Sequence, residues 1–193
     1  MYGKDRNGVG RPILTDSNGV LLSAAGKYVD AALSGRLFFS ANATRTTTST
    51  TLNTTFVGLG LCNPTGSGKL IVVHEFSYAF VAASAAGLIL SLAVTTDSGF
   101  AQDTNTPILC ARHGYATPVG ITDASATIIA PVIVKPITQK ADAATTTFVE
   151  VPHVVDLGGS IVLPAGRSIV TDTTTAVGAT TAIFSFMWEE IDA

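Results

Sequence analysis

Residues 69–81 alternate with a period of two. Leu70, Val72, His74, Phe76, Tyr78 and Phe80 take the even positions, while Glu75 and Ser77 stand among the odd ones. That period places successive side chains on opposite faces, as a strand does and a helix does not. The stretch predicts a long strand with one apolar face, which needs strands beside it and a second layer over it. Residues 180–191 repeat the pattern, with Phe184, Phe186 and Trp188 on one face. Between and around these, residues 54–61, 88–95, 107–112, 127–134, 146–151, 160–162 and 167–171 read as further short strands. Gly, Pro, Asn and Asp punctuate the gaps. No long amphipathic helix and no tandem repeat is visible. The expectation is an all-β, jelly-roll-like β-sandwich over residues 51–193.

Residues 1–50 read as an extended N-terminal arm. Asp16-Ser17-Asn18-Gly19 between Ile13-Leu14 and Val20-Leu21-Leu22 is a hairpin signal. Residues 24–34 fit a short helix or an extended strand, and periodicity does not separate the two. Leu37-Phe38-Phe39 then leads into a Thr-, Ser- and Asn-rich stretch, which places the boundary near residue 50. An arm with so few large apolar clusters needs a surface to lie on.

Composition says what kind of surface. Hydrophobic residues make up 47% and charged residues only 13%, about half the usual share. Uncharged Thr and Ser must therefore cover much of the exterior, and they can line flat subunit contacts without desolvating charge. A homo-oligomer is expected. Through Arg45 there are six basic residues (Lys4, Arg6, Arg11, Lys27, Arg36, Arg45) against three acidic ones. With a net charge of -3 for the chain, that +3 leaves about -6 for the remainder. A basic arm on an acidic body predicts arm-to-platform or head-to-tail docking. No Lys/Arg-rich run with interleaved aromatics supports nucleic-acid binding. The apolar stretch 79–94 is short for a membrane helix and contains Ser84, Gly87 and Ser91, so it predicts two buried strands joined by a turn. The opening MYGKDRNGVGRP lacks the apolar core of a secretory signal. Cys62 and Cys110 make no disulfide framework: one bridge between them is geometrically open, and two buried thiols are the expectation.

Catalytic patterns fail on inspection. Asn63-Pro64-Thr65-Gly66-Ser67-Gly68-Lys69 has Asn where a phosphate loop needs Gly and Leu70 where it needs Ser or Thr, so it predicts a turn between strands. Gly158-Gly159-Ser160-Ile161-Val162 lacks the final glycine of a nucleophile elbow. His74, His113 and His153 show no metal-ligand spacing. His74 falls on the apolar face of its strand, and His113 sits in a loop able to touch a ligand or neighbour. Adjacent Glu189 and Glu190 point to opposite faces and form no acid/base pair, and Asp156 reads as a turn residue. The expectation is no enzyme, no metal and no cofactor.

Three segments carry a family resemblance. Gly10-Arg11-Pro12-Ile13-Leu14-Thr15-Asp16-Ser17-Asn18-Gly19-Val20-Leu21-Leu22 resembles N-terminal segments of tailed-bacteriophage structural proteins. Leu61-Cys62-Asn63-Pro64-Thr65-Gly66-Ser67-Gly68-Lys69 resembles a turn of phage jelly-roll virion proteins. Ile161-Val162-Leu163-Pro164-Ala165-Gly166 and Phe184-Ser185-Phe186-Met187-Trp188-Glu189-Glu190 resemble the last strands of such a domain. The resemblance implies a capsid decoration (cement) protein, made in the host cytoplasm and carried on the virion head. It implies a homotrimer whose arm lies on the major capsid protein, with no nucleic-acid or membrane partner. The residues expected to bind the capsid are Arg6, Arg11, Lys27, Arg36, Leu37, Phe38 and Phe39. The alternative is a head-fibre or tail module for a receptor or carbohydrate, with Tyr28, Phe100 and Tyr115 as its aromatics. A cupin-like fold stands third, without the clustered histidines it needs.

Overall fold

A computed structural model describes residues 2–4, 10–12, 28–42, 55–80, 87–96, 100–102, 104–140, 151–174 and 182–193. The 13–22 hairpin signal and the 146–150 part of an expected strand lie outside them. Strands β1 (Tyr2–Lys4) and β2 (Gly10–Pro12) pair with each other. Helix α1 (Val29–Leu33) follows, then β3 (Leu37–Ala41), β4 (Thr55–Asn63), β5 (Lys69–Phe80) and β6 (Leu88–Thr96). Next come β7 (Ala101–Gln102), β8 (Ile108–Cys110), β9 (Ile121–Thr127) and β10 (Val132–Lys140). The chain ends with β11 (His153–Leu163), β12 (Arg167–Thr173) and β13 (Ala182–Asp192).

Two antiparallel sheets form the sandwich. One runs β11-β5-β13-β3-β8 and the other β10-β6-β12-β4-β9-β7. Successive strands of the eight change sheet at every step except β6 to β10, which pair within one sheet, so β3-β13-β5-β11 faces β4-β12-β6-β10, the order of a jelly roll. Strands β7–β9 are an insertion between β6 and β10 that widens both sheets on the β3/β4 side. Trp188, Phe38, Phe76, Phe184 and Phe186 fill the space between sheets with Leu59, Leu61, Leu90, Leu92 and Ile169, all buried. Each side chain withdrawn this way contributes about 1.5–3 kcal/mol before chain entropy is set against it. A second cluster lies on the outer face of the six-stranded sheet, where Phe100 covers Ala93, Ala126, Ile128 and Val170. It packs so closely on Gly60 that a Cβ there would stand 2.6 Å from the ring. Cys62 and Cys110 are buried thiols in separate clusters.

The 69–81 alternation forms the expected strand, with one correction. Ile71 and Val73 point into the core, and after them Phe76, Tyr78 and Phe80 do. On β13 the partner of Val73 is Trp188 and that of Glu75 is Met187, so His74 has no counterpart. That one-residue bulge reverses the parity of the strand. Leu70, Val72 and His74 therefore lie on the outer face, and His74 is not a core histidine.

The arm expectation also changes. Leu37 and Phe38 are buried, and β3 is an interior strand between β13 and β8. Residues 28–42 thus belong to the sandwich, because Phe38 stacks with Trp188 at 6.0 Å and the β3 backbone completes the sheet. The boundary near residue 50 is too late. The sequence also joined residues 127–134 into one strand, whereas β9 ends at Thr127 and β10 begins at Val132.

Candidate assembly surfaces

The root of the arm is fastened to the outside of the five-stranded sheet. Helix α1 lays Ala31 over Leu37 and Met187, with Tyr28, Ala32 and Ala111 around them. Chain reversal after the helix uses Gly35 at φ 72, where a Cβ would collide with the Tyr115 ring. Beside this apolar contact runs a charged relay. Arg36 donates Nη2 to Asp30 Oδ2 at 2.9 Å and Nε to Glu189 Oε1 at 2.8 Å. Glu189 Oε2 lies 3.3 Å from His74 Nε2, and the Tyr28 ring lies over His74 at 4.8 Å. Desolvation lowers the Arg36 pKa, but the hydrogen bonds and charges of Glu189 and Asp30 outweigh it and leave the guanidinium above its ordinary value. Arg112 donates Nη1 to the Leu33 carbonyl at 2.9 Å and lies over Tyr115, 3.9 Å from the ring centre.

Next to this root the sheet face is open. Phe39 of β3 pairs with Leu109 of β8 on one side and Met187 of β13 on the other. A neighbouring row runs Val154, Ser77, Ser185 and Ala41 across four strands. The first row is uncharged from β13 to β8, with Glu75 and Asp156 confined to its far end, and the second is uncharged throughout. Leu109 is 54% exposed and Val154 65%. A groove of about 480 Å³ opens between α1 and Phe39.

The opposite flank, where β10 and β11 form the sheet edges, is also apolar. Val132 is 62% exposed, and Ile133 and Val134 beside it are exposed. A groove of about 370 Å³ runs between the sheets there, lined by Val94, Val134, Ile161 and Val162 with Lys135 and Ser160. Neither edge invites an added strand. β10 carries Pro136 and register breaks at Ile133/Lys135 and Pro136/Thr138, and β11 loops out four residues between Asp156 and Ile161. Such features block backbone pairing while leaving side chains available. Asp156 caps that loop by accepting the Gly158 N–H at 2.7 Å.

The expected capsid-binding residues divide. Leu37 and Phe38 are buried and unavailable; their hydrophobicity serves this chain's own core. Phe39 is exposed, and Arg36 is half-exposed but engaged by two carboxylates. Arg6 and Lys27 lie outside the described residues, as does the side chain of Arg11. Of the alternative's aromatics, Phe100 is buried, Tyr28 is held against His74, and Tyr115 is exposed. His113 is exposed in the turn before Tyr115. His153 stacks on Tyr78 at 5.1 Å. Among the described residues no three His, Cys, Asp or Glu side chains converge as a metal site would require. Sequence reading missed the β10/β11 flank, although the run Val132-Ile133-Val134 ahead of Pro136 was a signal for an apolar edge strand.

No protein-family model, no curated protein and no solved structure matches this chain.

Proposed function

We propose that this chain is a virion structural protein, a capsid decoration or cement subunit that assembles as a homotrimer and docks on the major capsid protein through its N-terminal arm. The observation that carries the reading is the pair of largely apolar exposed surfaces on one sandwich, around Leu109 and around Val132. A soluble monomer rarely leaves two such patches in water. A subunit whose work is mechanical gains from them, because association then stabilises the fold by mass action. The excess of basic residues before Arg45 supplies attraction for an acidic shell. Arg6, Arg11, Lys27 and Phe39 are its docking residues. Leu37 and Phe38 act one step back, by holding the sandwich from which the arm departs.

Full-length protein carrying Arg6→Glu, Arg11→Glu and Lys27→Glu is mixed with purified heads that lack the subunit, and co-sedimentation is measured. Binding is expected to weaken at least tenfold, and to lose the fall with rising salt that wild-type binding shows. Undiminished binding refutes docking through the arm. Tyr115, exposed beside Arg112, is the feature that favours a head-fibre or tail receptor module instead. Negative-stain images separate the readings: regular knobs over the whole shell support decoration, and a few copies at a vertex support the fibre.

A further inference from the structure

We infer that the loop of residues 111–116, between β8 and β9, is a buckle over the root of the arm: it holds helix α1 closed against the sheet, and the two open together as one unit while the sandwich stays folded. The device belongs to the free subunit and needs no capsid to be seen.

Helix α1 cannot hold itself. It has five residues, where an isolated helix needs about 12–15 to persist. No side chain caps its first turn, and its last turn carries no basic residue. Ala31 is its one buried residue, and Leu33 is 64% exposed. Contact with other elements keeps it in place. Ala31 on Leu37 and Met187, and Arg36 on Glu189, supply part of that contact. The buckle acts on the C-terminal end.

Arg112 Nη1 donates to the Leu33 carbonyl at 2.9 Å. That carbonyl is one of the last-turn acceptors a helix leaves open, and a cation is favoured there. The Tyr115 ring lies against Gly35, where a Cβ would stand 2.1 Å from Cδ1 and 2.6 Å from Cε1. Gly35 turns the chain back at φ 72, so glycine is required there twice, by the turn and by the ring. The Arg112 guanidinium covers the ring 3.9 Å from its centre, and the Tyr115 N–H bonds the Arg112 carbonyl at 3.1 Å. Arg112 and Tyr115 therefore move as a pair.

Helix and buckle each lose the same contacts when the other leaves, so their opening is joint and the effect reciprocal. Opening gives up little buried apolar surface, because Arg112, His113, Gly114 and Tyr115 are all exposed. It therefore belongs to the low end of local stability, well below global unfolding. The loop is fixed at its two ends, where the Ala111 N–H bonds the Leu37 carbonyl at 2.8 Å and Ala116 packs against the core. A partner that grips the exposed edge of Tyr115 changes the hold on α1, and a pull on the arm changes the loop.

Native-state hydrogen exchange on the full-length protein is the test. The Ser34 and Arg36 amides, bonded to the Asp30 and Ala31 carbonyls, report on the helix, and the Tyr115 amide reports on the buckle. Tyr115→Ala removes the ring, and Arg112→Met removes the bond to Leu33 while keeping an unbranched stem. Both are expected to speed the Ser34 and Arg36 amides about tenfold and to leave β5 and β13 at wild-type rates. Tyr115→Phe keeps the ring and is expected to exchange as wild type does. Ala31→Gly loosens the helix from its own side and is expected to speed the Tyr115 amide severalfold. A merely local loss of packing would not produce that reverse effect. Unchanged Ser34 and Arg36 amides in Tyr115→Ala overturn the buckle, as does an unchanged Tyr115 amide in Ala31→Gly. Faster exchange throughout β5 and β13 also overturns it, since the loop would then belong to the global fold. If thermal melts show that Ala31→Gly does not fold, Val29→Gly is read the same way.

Discussion

Trp188 donates its indole N–H to Glu190 Oε1 at 3.2 Å, two positions along the same strand and inside the sandwich. The same carboxylate accepts the Gly120 N–H at 2.9 Å and the Val119 N–H at 3.0 Å. Glu190 is only 5% exposed, so a carboxylate from β13 holds the approach to β9 by satisfying backbone donors that have left water. Removing it leaves three donors buried. Glu190→Leu is expected to cost about 4 kcal/mol in urea unfolding, and Glu190→Gln about 2 kcal/mol, because an amide N–H₂ then faces one of the donors. Gly120→Ala should destabilise by a similar route, as its Cβ would lie 2.9 Å from Ile71 Cδ1 and 3.1 Å from Glu190 Oε1. A loss under about 0.5 kcal/mol for Glu190→Leu would place it with ordinary surface changes and discard the role.

Asn63 performs the corresponding task at the other turn. It is fully buried, and its Nδ2 donates to the Lys69 carbonyl at 2.8 Å and to the Leu163 carbonyl at 2.8 Å. Its backbone carbonyl accepts the Gly166 N–H at 2.8 Å, so the β4–β5 turn and the β11–β12 turn are tied at one residue. Asn63→Ala should lose about 2–3 kcal/mol. Asn63→Asp should lose more, since a carboxylate would present oxygen to two carbonyl oxygens. Denaturant midpoints decide the order, and an aspartate more stable than the alanine would show that the donors are not what matters.

These two clamps mark where sequence legibility stops. The alternation of residues 69–81 and the shared face of Phe184, Phe186 and Trp188 read directly as strands, because burial imposes a local period. The face switch at His74 depends on two neighbouring strands that both leave it unpaired, a non-local fact. Its trace is that Ile71 and Val73 are apolar at odd positions while Phe76 and Tyr78 are apolar at even ones. In sequence Leu37 and Phe38 read as part of the arm because the Thr-rich segment after them looks like a boundary. A core strand next to a polar connection looks the same locally. Glu190 is charged, and nothing near it in sequence announces that its partners are backbone amides 70 residues away. The Phe39/Leu109 face was legible only as a shortage of charge, and the β10/β11 flank only as three consecutive aliphatics.

Asp172 supplies a pH signature. It lies buried on β12, and desolvation raises its pKa above the ordinary carboxylate value, with a backbone hydrogen bond at Thr173 opposing the shift in part. A carboxyl whose folded pKa exceeds its unfolded one favours folding while protonated. That contribution is complete below the unfolded value and disappears as pH rises through the raised folded value. At pH 7 the ionised group therefore opposes folding. Asp172→Asn is expected to equal or exceed wild type in melting temperature at pH 7, with the advantage shrinking as pH falls toward 4. Melts across that range check the sign. An advantage that grows on acidification would mean that ionised Asp172 is favourably held.

Arg36 separates a structural role from a docking one. Its guanidinium engages Glu189 and Asp30, but its side chain is 42% exposed, so solvent screens both pairs. A double-mutant cycle of Arg36→Ala with Glu189→Gln should return a coupling of about 0.5–1 kcal/mol, reduced by salt. The larger effect should be local. The Ser34 N–H bonds the Asp30 carbonyl and the Arg36 N–H bonds the Ala31 carbonyl, so both amides report on α1 through hydrogen exchange. Arg36→Ala is expected to speed their exchange severalfold while leaving amides of β5 and β13 unchanged. Arg36→Lys keeps the charge and loses the fork that reaches both carboxylates. If Arg36 acts through the root of the arm, the lysine variant should exchange like the alanine one and bind heads equally poorly. If it meets the shell as a bare charge, the lysine variant should bind heads like wild type despite its loosened helix.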